Sequence, residues 1–371
     1  MKIINLVGAK FGNGGIESFL ANVSKQIPYY QDIEFIIVSK FKCQSIYEKE
    51  IIDNGGKFIY LSDKACGKFG FYNKLIKYFG QNKQSIVWIH ASFANQYLYA
   101  LISRISGIKK VAFHMHSVQN PSLQSSKRVK NYFYRRLLSK VPNALVACSY
   151  YSGKLNFENK KFFVVHNGID CSRFKFSIVD RKDIREKYGV TDSFVLGQVG
   201  RLSYAKNQLF SIKLLEKLVK ENKKIKLFIV GSGEDLNLLR EKAIDLKLMD
   251  YIVFVPATER IDAFYSSFDI LLFPSVFEGL GIAPLEAQCS GLNVICSQNI
   301  TREIAVTSRV EFIELNDIDC WTKTVLKKSY KTPDIEERLA ASEEGISFVS
   351  KSGFTYKNAF HEMMDVANKI L

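Results

Sequence analysis

Two glutamates eight residues apart, Glu278 and Glu286, stand in the run FPSVFEGLGIAPLEAQCSG (273–291). The run is otherwise apolar and rich in glycine, a poor setting for ordinary surface carboxylates. One carboxylate can accept hydrogen bonds from sugar hydroxyls, the other from a ribose diol. Between them, Gly279 and Gly281 let the backbone N–H groups of Gly279, Leu280, Gly281 and Ile282 meet a phosphate. Pro284 suits the first turn of a helix, so Glu286 falls inside that turn and Glu278 in the loop before it.

Other residues with chemistry lie at the ends of apolar runs. VGRLSYAKNQ (199–208) carries Arg201 and, five residues on, Lys206. Two cations in one loop beside a helix start can clamp a diphosphate, Arg by its planar fork and Lys as a point charge. They would act most where charge develops on a leaving group. An exposed basic loop is the alternative, and the position at a strand's carboxyl end favours a ligand. KFGNGGIESFL (10–20) sets Gly12, Gly14 and Gly15 before a run of helix formers. Gly14 and Gly15 can bring backbone N–H groups to a phosphate at a helix N-terminus. The spacing is neither GxGxxG nor GK[ST], and a plain strand-to-helix turn would read the same way. KVAFHMHSVQN (110–120) ends a strand with two histidines. Alternation places His114 and His116 on the face of Ala112, opposite Val111, Phe113 and Met115. His114 reads as a core histidine. His116, at the strand's end, reads as a hydrogen-bond donor to a sugar hydroxyl or a developing charge. In FIVGSGEDLNLL (228–239), Glu234 and Asp235 read as the acidic first turn of a helix, favoured by its dipole rather than by a ligand.

These residues need elements to position them. Short apolar runs, rich in Val, Ile and Phe, recur along the chain: IINLV (3–7), EFIIVS (34–39), KFIYL (57–61), SIVWIH (85–90), KVAFHMH (110–116), ALVACS (144–149) and FFVVHNG (162–168). After a polar break over 171–193 they resume as FVLGQVG (194–200), KLFIVG (226–231), YIVFVP (251–256), DILLFPS (269–275) and NVICS (293–297). Several are apolar on both faces, as parallel strands under helices are. Segments of helical period lie between them, as in 207–222 and 234–248, and 353–371 reads as a terminal amphipathic helix. Strand–helix alternation in two sets implies an α/β protein of two Rossmann-like, doubly wound parallel-sheet domains. The first is expected over 1–173 and the second over 174–353, with the break as linker and first helix of the second. Ligands in such sheets bind at the carboxyl ends of the strands, so a cleft between two domains is expected to hold them.

Composition sets bounds. With 371 residues, 47% hydrophobic and 24% charged, the chain can fill two cores. It has no run of about 18 apolar residues, as a transmembrane helix requires, and its first residues lack the pattern of a signal peptide. A cytoplasmic protein is expected. Seven cysteines, none in a CxxC pair, read as reduced and mostly buried thiols. Five histidines without carboxylate or cysteine spacing predict no metal site. The net charge of +15 is one-sided: residues 1–173 hold 25 Lys+Arg against 9 Asp+Glu, and the rest 27 against 28. Such asymmetry suits an anionic partner for the first half alone, or a lysine-rich solubilising surface. The aromatic-basic stretch KRVKNYFYRRLLSK (127–140) is consistent with an interfacial helix.

Taken in order, GGIE (14–17), His116, VVHNGID (164–170), GRLSYAKN, IVGSGE and FEGLGIAPLEAQCSG make the chain resemble, nearly end to end, the retaining glycosyltransferases of family four, which have the GT-B fold. The last motif is specific, and the others are loose but occur in the expected order. The resemblance implies that Gly14 and Gly15 sit under the donor phosphates and that His116 contacts the transferred sugar. It implies that Arg201 and Lys206 hold the donor diphosphate, that Glu278 holds the sugar hydroxyls and Glu286 the ribose, and that backbone from Val255 to Thr258 faces the base. The family needs no metal, the cations replacing a divalent ion. Attack is commonly described as front-face, with the leaving phosphate as base. The terminal helix (354–371) would cross back to the first domain. HMHS offers two histidines where one is usual, so His114 and His116 both stand as the family's active-site histidine. Gln288, Cys289 and Ser290 replace the usual small or apolar residues.

The expected activity is transfer of a sugar, from a UDP-sugar first of all, to a glycan or lipid-linked glycan in capsule or exopolysaccharide synthesis. The protein would lie peripherally on the anionic inner face of the plasma membrane, with no nucleic acid as partner. A UDP-sugar epimerase and a non-catalytic nucleotide-sugar-binding protein are the alternatives. An epimerase would need further acidic catalytic groups, and no such set stands in the sequence.

Overall fold

The computed structural model describes residues 1–42, 45–62, 67–118, 125–330 and 334–371. Two of the seven cysteines, Cys43 and Cys66, lie outside them, as do Gln119 and Asn120 at the end of the run 110–120. The chain divides into two compact units, Met1–Gly168 with Thr355–Leu371, and Ile169–Phe354.

The first unit is built on seven parallel strands: β1 (Lys2–Lys10), β2 (Glu34–Phe41), β3 (Lys57–Tyr60), β4 (Ile86–Ala91), β5 (Lys110–Met115), β6 (Ala144–Ala147) and β7 (Phe163–Val164). Their order is β3-β2-β1-β4-β5-β6-β7. The helices are α1 (Gly15–Ser24), α2 (Glu48–Asp53), α3 (Lys68–Gly80), α4 (Tyr97–Ile105), α5 (Ser125–Leu138) and α6 (Tyr150–Phe157). Every residue of β4 is buried, as expected of a central strand covered on both faces. Ile3, Val7, Ile86, Trp88, Ala112 and Val146 pack on one side of the sheet, and Ile4, Leu6, Val87, Ile89, Val111 and Phe113 on the other. Strand alternation thus puts Ala112 and Val111 on opposite faces, as the sequence predicts.

The second unit has six parallel strands: β8 (Phe194–Val199), β9 (Ile225–Val230), β10 (Ile252–Val255), β11 (Ile270–Phe273), β12 (Asn293–Ser297) and β13 (Val310–Ile313), ordered β10-β9-β8-β11-β12-β13. Its helices are α7 (Ile178–Lys187), α8 (Gln208–Glu221), α9 (Leu236–Asp245), α10 (Ile261–Ser267), α11 (Ala283–Cys289), α12 (Ile318–Ser329) and α13 (Ile335–Lys351). The last helix, α14 (Tyr356–Ile370), belongs to the first unit, where Phe360, Met363 and Val366 enter the core on the α1 side of the sheet. The Glu362 carboxylate accepts there from the His166 backbone N–H at 2.8 Å and meets His166 Nδ1 at 2.9 Å.

The two sheets and the α/β class match the sequence reading, and all twelve apolar runs form strands. β13 is the addition. It is an edge strand of whose four residues only Ile313 is buried, Glu311 being exposed, so VEFI lacks the apolar density that marks the others. The unit boundary also differs. The chain enters the second unit at Ile169 rather than after Arg173, because the short 3-10 turn Cys171–Phe174 packs on α10, α11 and α13. Phe174 stacks edge-on to Tyr265 at 5.6 Å. Of the described cysteines, Cys148, Cys171, Cys289 and Cys296 are buried.

Helices α11 and α13 approach with backbone against backbone. A Cβ on Gly345 would meet the Gln288 carbonyl oxygen at 1.8 Å. Gly291 has a φ of +67°, and its Cβ would meet the Arg338 carbonyl at 2.7 Å. Arg338 exploits this closeness. Its guanidinium donates to the carbonyls of Ser290 (2.5 Å), Phe268 (3.0 Å) and Tyr265 (3.2 Å). Gly345→Ala must push the two helices apart. Overpacking of this kind costs about 1–3 kcal/mol, so the second unit is expected to melt several degrees lower. Calorimetry checks this, and an unchanged transition would refute the packing argument.

Candidate active site

In the second unit the order of strands reverses between β8 and β11, which pair side by side. The loops leaving their carboxyl ends are therefore neighbours, as at the ligand-binding switch points of other open α/β sheets. The loop after β8 brings Arg201 and Lys206, and the loop after β11 brings Glu278 and then Glu286. Backbone and side-chain bonds tie the loops together. Val276 N–H donates to the Ala205 carbonyl at 2.8 Å. Asn207, in the left-handed region at φ 56°, reaches the Pro274 carbonyl with its amide at 3.1 Å. Gln198 donates to the Lys206 carbonyl at 2.8 Å, and Gln208 to that of Arg201 at 2.9 Å.

Lys206 Nζ lies 2.5 Å from Glu278 Oε1, with both side chains mostly buried. Glu278 Oε1 has no other partner among the described residues. The ammonium also sits over the Phe273 ring, 5.1 Å from its centroid. Arg201 is more exposed and pairs with Glu234 at 3.0 Å. The sequence reading put Glu234 and Asp235 in the first turn of a helix. α9 instead begins at Leu236, so Glu234 lies in the turn before it, within reach of the cation. The turn itself needs glycine for close approach. A Cβ on Gly231 would meet the Gly200 carbonyl oxygen at 2.0 Å, and one on Gly233 the Leu202 carbonyl at 2.1 Å.

Glu286 sits in α11 and is almost fully buried. Burial pushes its carboxyl above the usual range, against the opposing hydrogen bond of Tyr265 and the charges of Arg173 and Lys206. The buried Tyr265 hydroxyl donates to Glu286 Oε2 at 2.6 Å. No motif in the sequence marks Tyr265; it comes from α10, and only packing brings it to α11. Gly281, at φ +87°, lets the loop turn past Phe273, whose ring a Cβ would meet at 2.9 Å. Leu280 is buried. Thr258 follows β10, and its hydroxyl accepts from Arg260 N–H at 3.2 Å. Gln288 is fully engaged: its amide donates to the carbonyls of Pro284 and Ile304, and its oxygen accepts from Thr307. That departure from the family's usual residues ties α11 to its neighbour loop.

The first unit holds a second set of groups. Gly14 caps α1, and Gly15 opens it. The Glu17 carboxylate accepts from Gly12 N–H at 2.9 Å and from Gly14 N–H at 3.0 Å, so these two donors are already taken inside the loop. A Cβ on Gly15 would meet nothing within 4 Å; the backbone there is open to approach. The β4–β5 register pairs His90 with His114, and His116 follows on the same face. One ring nitrogen from each of the three histidines lies within 4.8 Å of the other two, a cluster that the spacing along the chain does not reveal. Phe19 of α1 packs against all three rings at 5.2–5.7 Å. His116 Nε2 meets His90 Nδ1 at 2.9 Å, and its Nδ1 meets the Asn167 side chain at 3.1 Å. Both ring nitrogens of His116 thus have partners within the unit. Burial pushes His116 down to about 3 and holds His90 and His114 well below the ordinary histidine range.

With this geometry in place, the comparisons with known proteins decide the family. The Glycosyltransferase Family 4 model matches residues 13–173, and the model for group 1 glycosyl transferases matches residues 180–319. The chain is a family-four glycosyltransferase. Among relatives of this glycosyltransferase is the putative glycosyltransferase EpsF of Bacillus subtilis, 26% identical over 342 residues and 88% of each chain. Another is the Escherichia coli UDP-Gal:alpha-D-GlcNAc-diphosphoundecaprenol alpha-1,3-galactosyltransferase, 28% identical over 68% of each chain. The structure of Anabaena HepE in complex with UDP and glucose superposes with a TM-score of 0.80 at 17% identity, covering 99% of each chain. The glycosyltransferase therefore has the GT-B fold, and the epimerase and non-catalytic readings are set aside.

The buried His90 and His114 and the partly buried His116 make the first unit sensitive to acid. Each has a folded pKa below its unfolded value of about 6.5, so below that pH the unfolded chain binds protons that the fold does not. Stability is full above about pH 6.5 and falls by about 1.4 kcal/mol per pH unit for each histidine still neutral in the fold. Trp88 is in the first unit and Trp321 in the second. Urea unfolding of Trp321→Phe, followed by Trp88 fluorescence, should show a midpoint that drops steadily from pH 7 to pH 5. A constant midpoint would contradict the neutral assignment.

Proposed function

We propose that this enzyme moves a sugar from a UDP-sugar to a lipid-linked glycan, with retention of anomeric configuration and without a metal ion. The observation that carries the reading is the 2.5 Å pair of Lys206 with Glu278 at the β8–β11 switch point, with Arg201 in the same loop. The pair is a cation for phosphate and an anion for hydroxyls, each poised to exchange its internal partner for a ligand group. In this reading Lys206 and Arg201 take the diphosphate, and Glu278 takes the sugar hydroxyls. Glu286, oriented by Tyr265, takes the ribose. Thr258 and the backbone before it meet the base. Backbone from Gly279 to Ile282 lines the phosphate. In the first unit, Gly14, Gly15 with its open backbone, and the ring of His116 keep the roles that the family resemblance implies.

The nucleotide assignment is supported by HepE, whose structures hold UDP and UDP-glucose. The acceptor assignment is supported by the galactosyltransferase relative, whose acceptor is a diphosphoundecaprenol-linked sugar. CapM of Staphylococcus aureus, a capsular polysaccharide biosynthesis glycosyltransferase, is 30% identical over 37% of this chain and supports a role in capsule or exopolysaccharide synthesis. The two cations offset charge developing on the leaving diphosphate, which is the service a divalent ion gives elsewhere. Transfer is therefore expected to be undiminished in EDTA, and the anomeric configuration of donor and product to be the same by NMR. Glu278→Gln and Lys206→Ala should each lower the transfer rate by roughly 100-fold or more, the scale of losing one charge-stabilising contact. Transfer at the unsubstituted rate in both variants would sink the assignment of the site.

The membrane part of the proposal rests on α5. Val129, Tyr132, Phe133 and Leu137 are exposed on this helix, and Lys130, Arg136 and Lys140 stand exposed among and just beyond them. No helix among the described residues is long and apolar enough to cross a membrane. An apolar strip flanked by cations suits the headgroup region of an anionic leaflet. The enzyme is expected to sediment with phosphatidylglycerol vesicles at low salt, and Phe133→Glu with Leu137→Glu to abolish this. Equal sedimentation with neutral vesicles would refute the electrostatic part.

A further inference from the structure

We propose that Asn5 and His90 are positioning residues that fix His116 as the neutral tautomer with hydrogen on Nε2. The inference rests on reading His116 as a site residue, and it gives the histidine cluster and Asn167 of the VVHNGID motif a defined part.

The direction of the hydrogen-bond line follows from its buried end. Asn5 is fully buried, and its side-chain N–H donates to the Ile36 carbonyl at 3.4 Å. Its Oδ1 is thereby turned to His90 Nε2, at 3.1 Å. An amide oxygen only accepts, so His90 carries its hydrogen on Nε2. His90 Nδ1 is then an acceptor, and the group 2.9 Å from it, His116 Nε2, must be the donor. The hydrogen of a neutral His116 is used there, and its Nδ1 holds a lone pair 3.1 Å from the Asn167 amide. A half-turn of that amide exchanges Oδ1 and Nδ2 in nearly the same volume and supplies the N–H that Nδ1 needs.

Two other arrangements would satisfy the contacts, and both fail on physical grounds. One extra proton shared between the rings would let Asn167 accept through Oδ1. It would leave a positive charge in the core, where no acidic side chain among the described residues acts on any of the three rings and an unpaired charge is costly. A metal ion held by the three rings is the second. Two nitrogens on one tetrahedral ion at about 2.0–2.1 Å stand roughly 3.4 Å apart, whereas His90 and His116 are at hydrogen-bond separation. His114 also receives Trp88 Nε1–H on its Nδ1 at 3.3 Å, which puts its own hydrogen on Nε2. Bearing hydrogen, that nitrogen cannot ligate.

The consequence for the reaction is specific. His116 neither gives nor takes a proton near neutral pH. It acts by the fixed placement of a neutral ring, held by His90 on one side and Asn167 on the other and pressed by Phe19.

The full-length protein labelled with ¹⁵N in its histidine rings tests this by NMR. The expected spectrum has His116 and His90 protonated on Nε2 and bare on Nδ1, unchanged from pH 6 to pH 8. Hydrogen on His116 Nδ1, or a ring pair bearing three hydrogens, overturns the proposal without any variant. His90→Asn keeps an acceptor oxygen near the place of Nδ1 and should preserve the His116 pattern; His90→Leu removes it and should let the His116 hydrogen redistribute. Transfer should fall roughly 10–100-fold in His90→Leu, the scale of a misplacement of order 1 Å, with the donor KM little changed, and recover in His90→Asn. An unaltered His116 pattern in folded His90→Leu also overturns the proposal. His116→Ala is the separate control: transfer at the full rate there rejects His116 as a site residue while leaving the tautomer assignment to the spectrum.

Discussion

A lysine and a glutamate buried apart from each other would each carry a heavy desolvation cost. Lys206 and Glu278 avoid it only by standing 2.5 Å apart at the ends of two adjacent strands. Much of the second unit serves that adjacency. The β8–β11 pairing sets the two strand ends side by side. Asn207 and Val276 then join the loops through backbone carbonyls, and Gly200, Gly231 and Gly233 allow the neighbouring turns to touch backbone to backbone. The pair is also what makes the site chemically useful. Its members satisfy each other, and in the proposed reading a phosphate and a sugar hydroxyl offer each one a replacement of the same kind.

Support for the second carboxylate is layered behind it. Glu286 is held by Tyr265, Tyr265 by packing on Phe174 and by the Arg338 guanidinium on its carbonyl. Arg338 keeps its place because Gly345 and Gly291 allow α13 against α11. Burial lowers the Arg338 pKa to about 9, which still leaves it charged at neutral pH. A network of this kind fixes side-chain geometry far more firmly than a surface ion pair, where solvent and rotamer entropy dissipate most of the gain. The first unit uses the same tactic with neutral groups. A row of Asn5, His90, His116 and Asn167 crosses the edge of an otherwise apolar face, each group answered by the next.

Much of this was legible in the residues. The apolar runs gave twelve of thirteen strands, because strands buried on both faces must be apolar throughout. β13 escaped because an edge strand escapes that demand. FEGLGIAPLEAQCSG identified both carboxylates, since glutamate in an apolar, glycine-bearing segment has few structural uses. Glu234 was misread because a helix start and a cation partner favour the same residue, and only the position of Arg201 separates them. The start of the second unit was placed five residues late because the polar composition of 171–193 conceals that Cys171 and Phe174 are buried in that unit.

The sequence by itself determined which elements form, which strand ends carry charged groups, and the family. Those depend on local composition, periodicity and spacing, which are written along the chain. Tertiary structure alone decided the partners. Tyr265 reaches Glu286 across 21 residues, His90 reaches His116 across 26, and Asn5 reaches His90 across 85. Parallel strands are joined through helices, so residues adjacent in a sheet are distant in sequence. The protonation pattern of the histidines and the pairing of Lys206 with Glu278 follow from that register, and no local pattern could encode them.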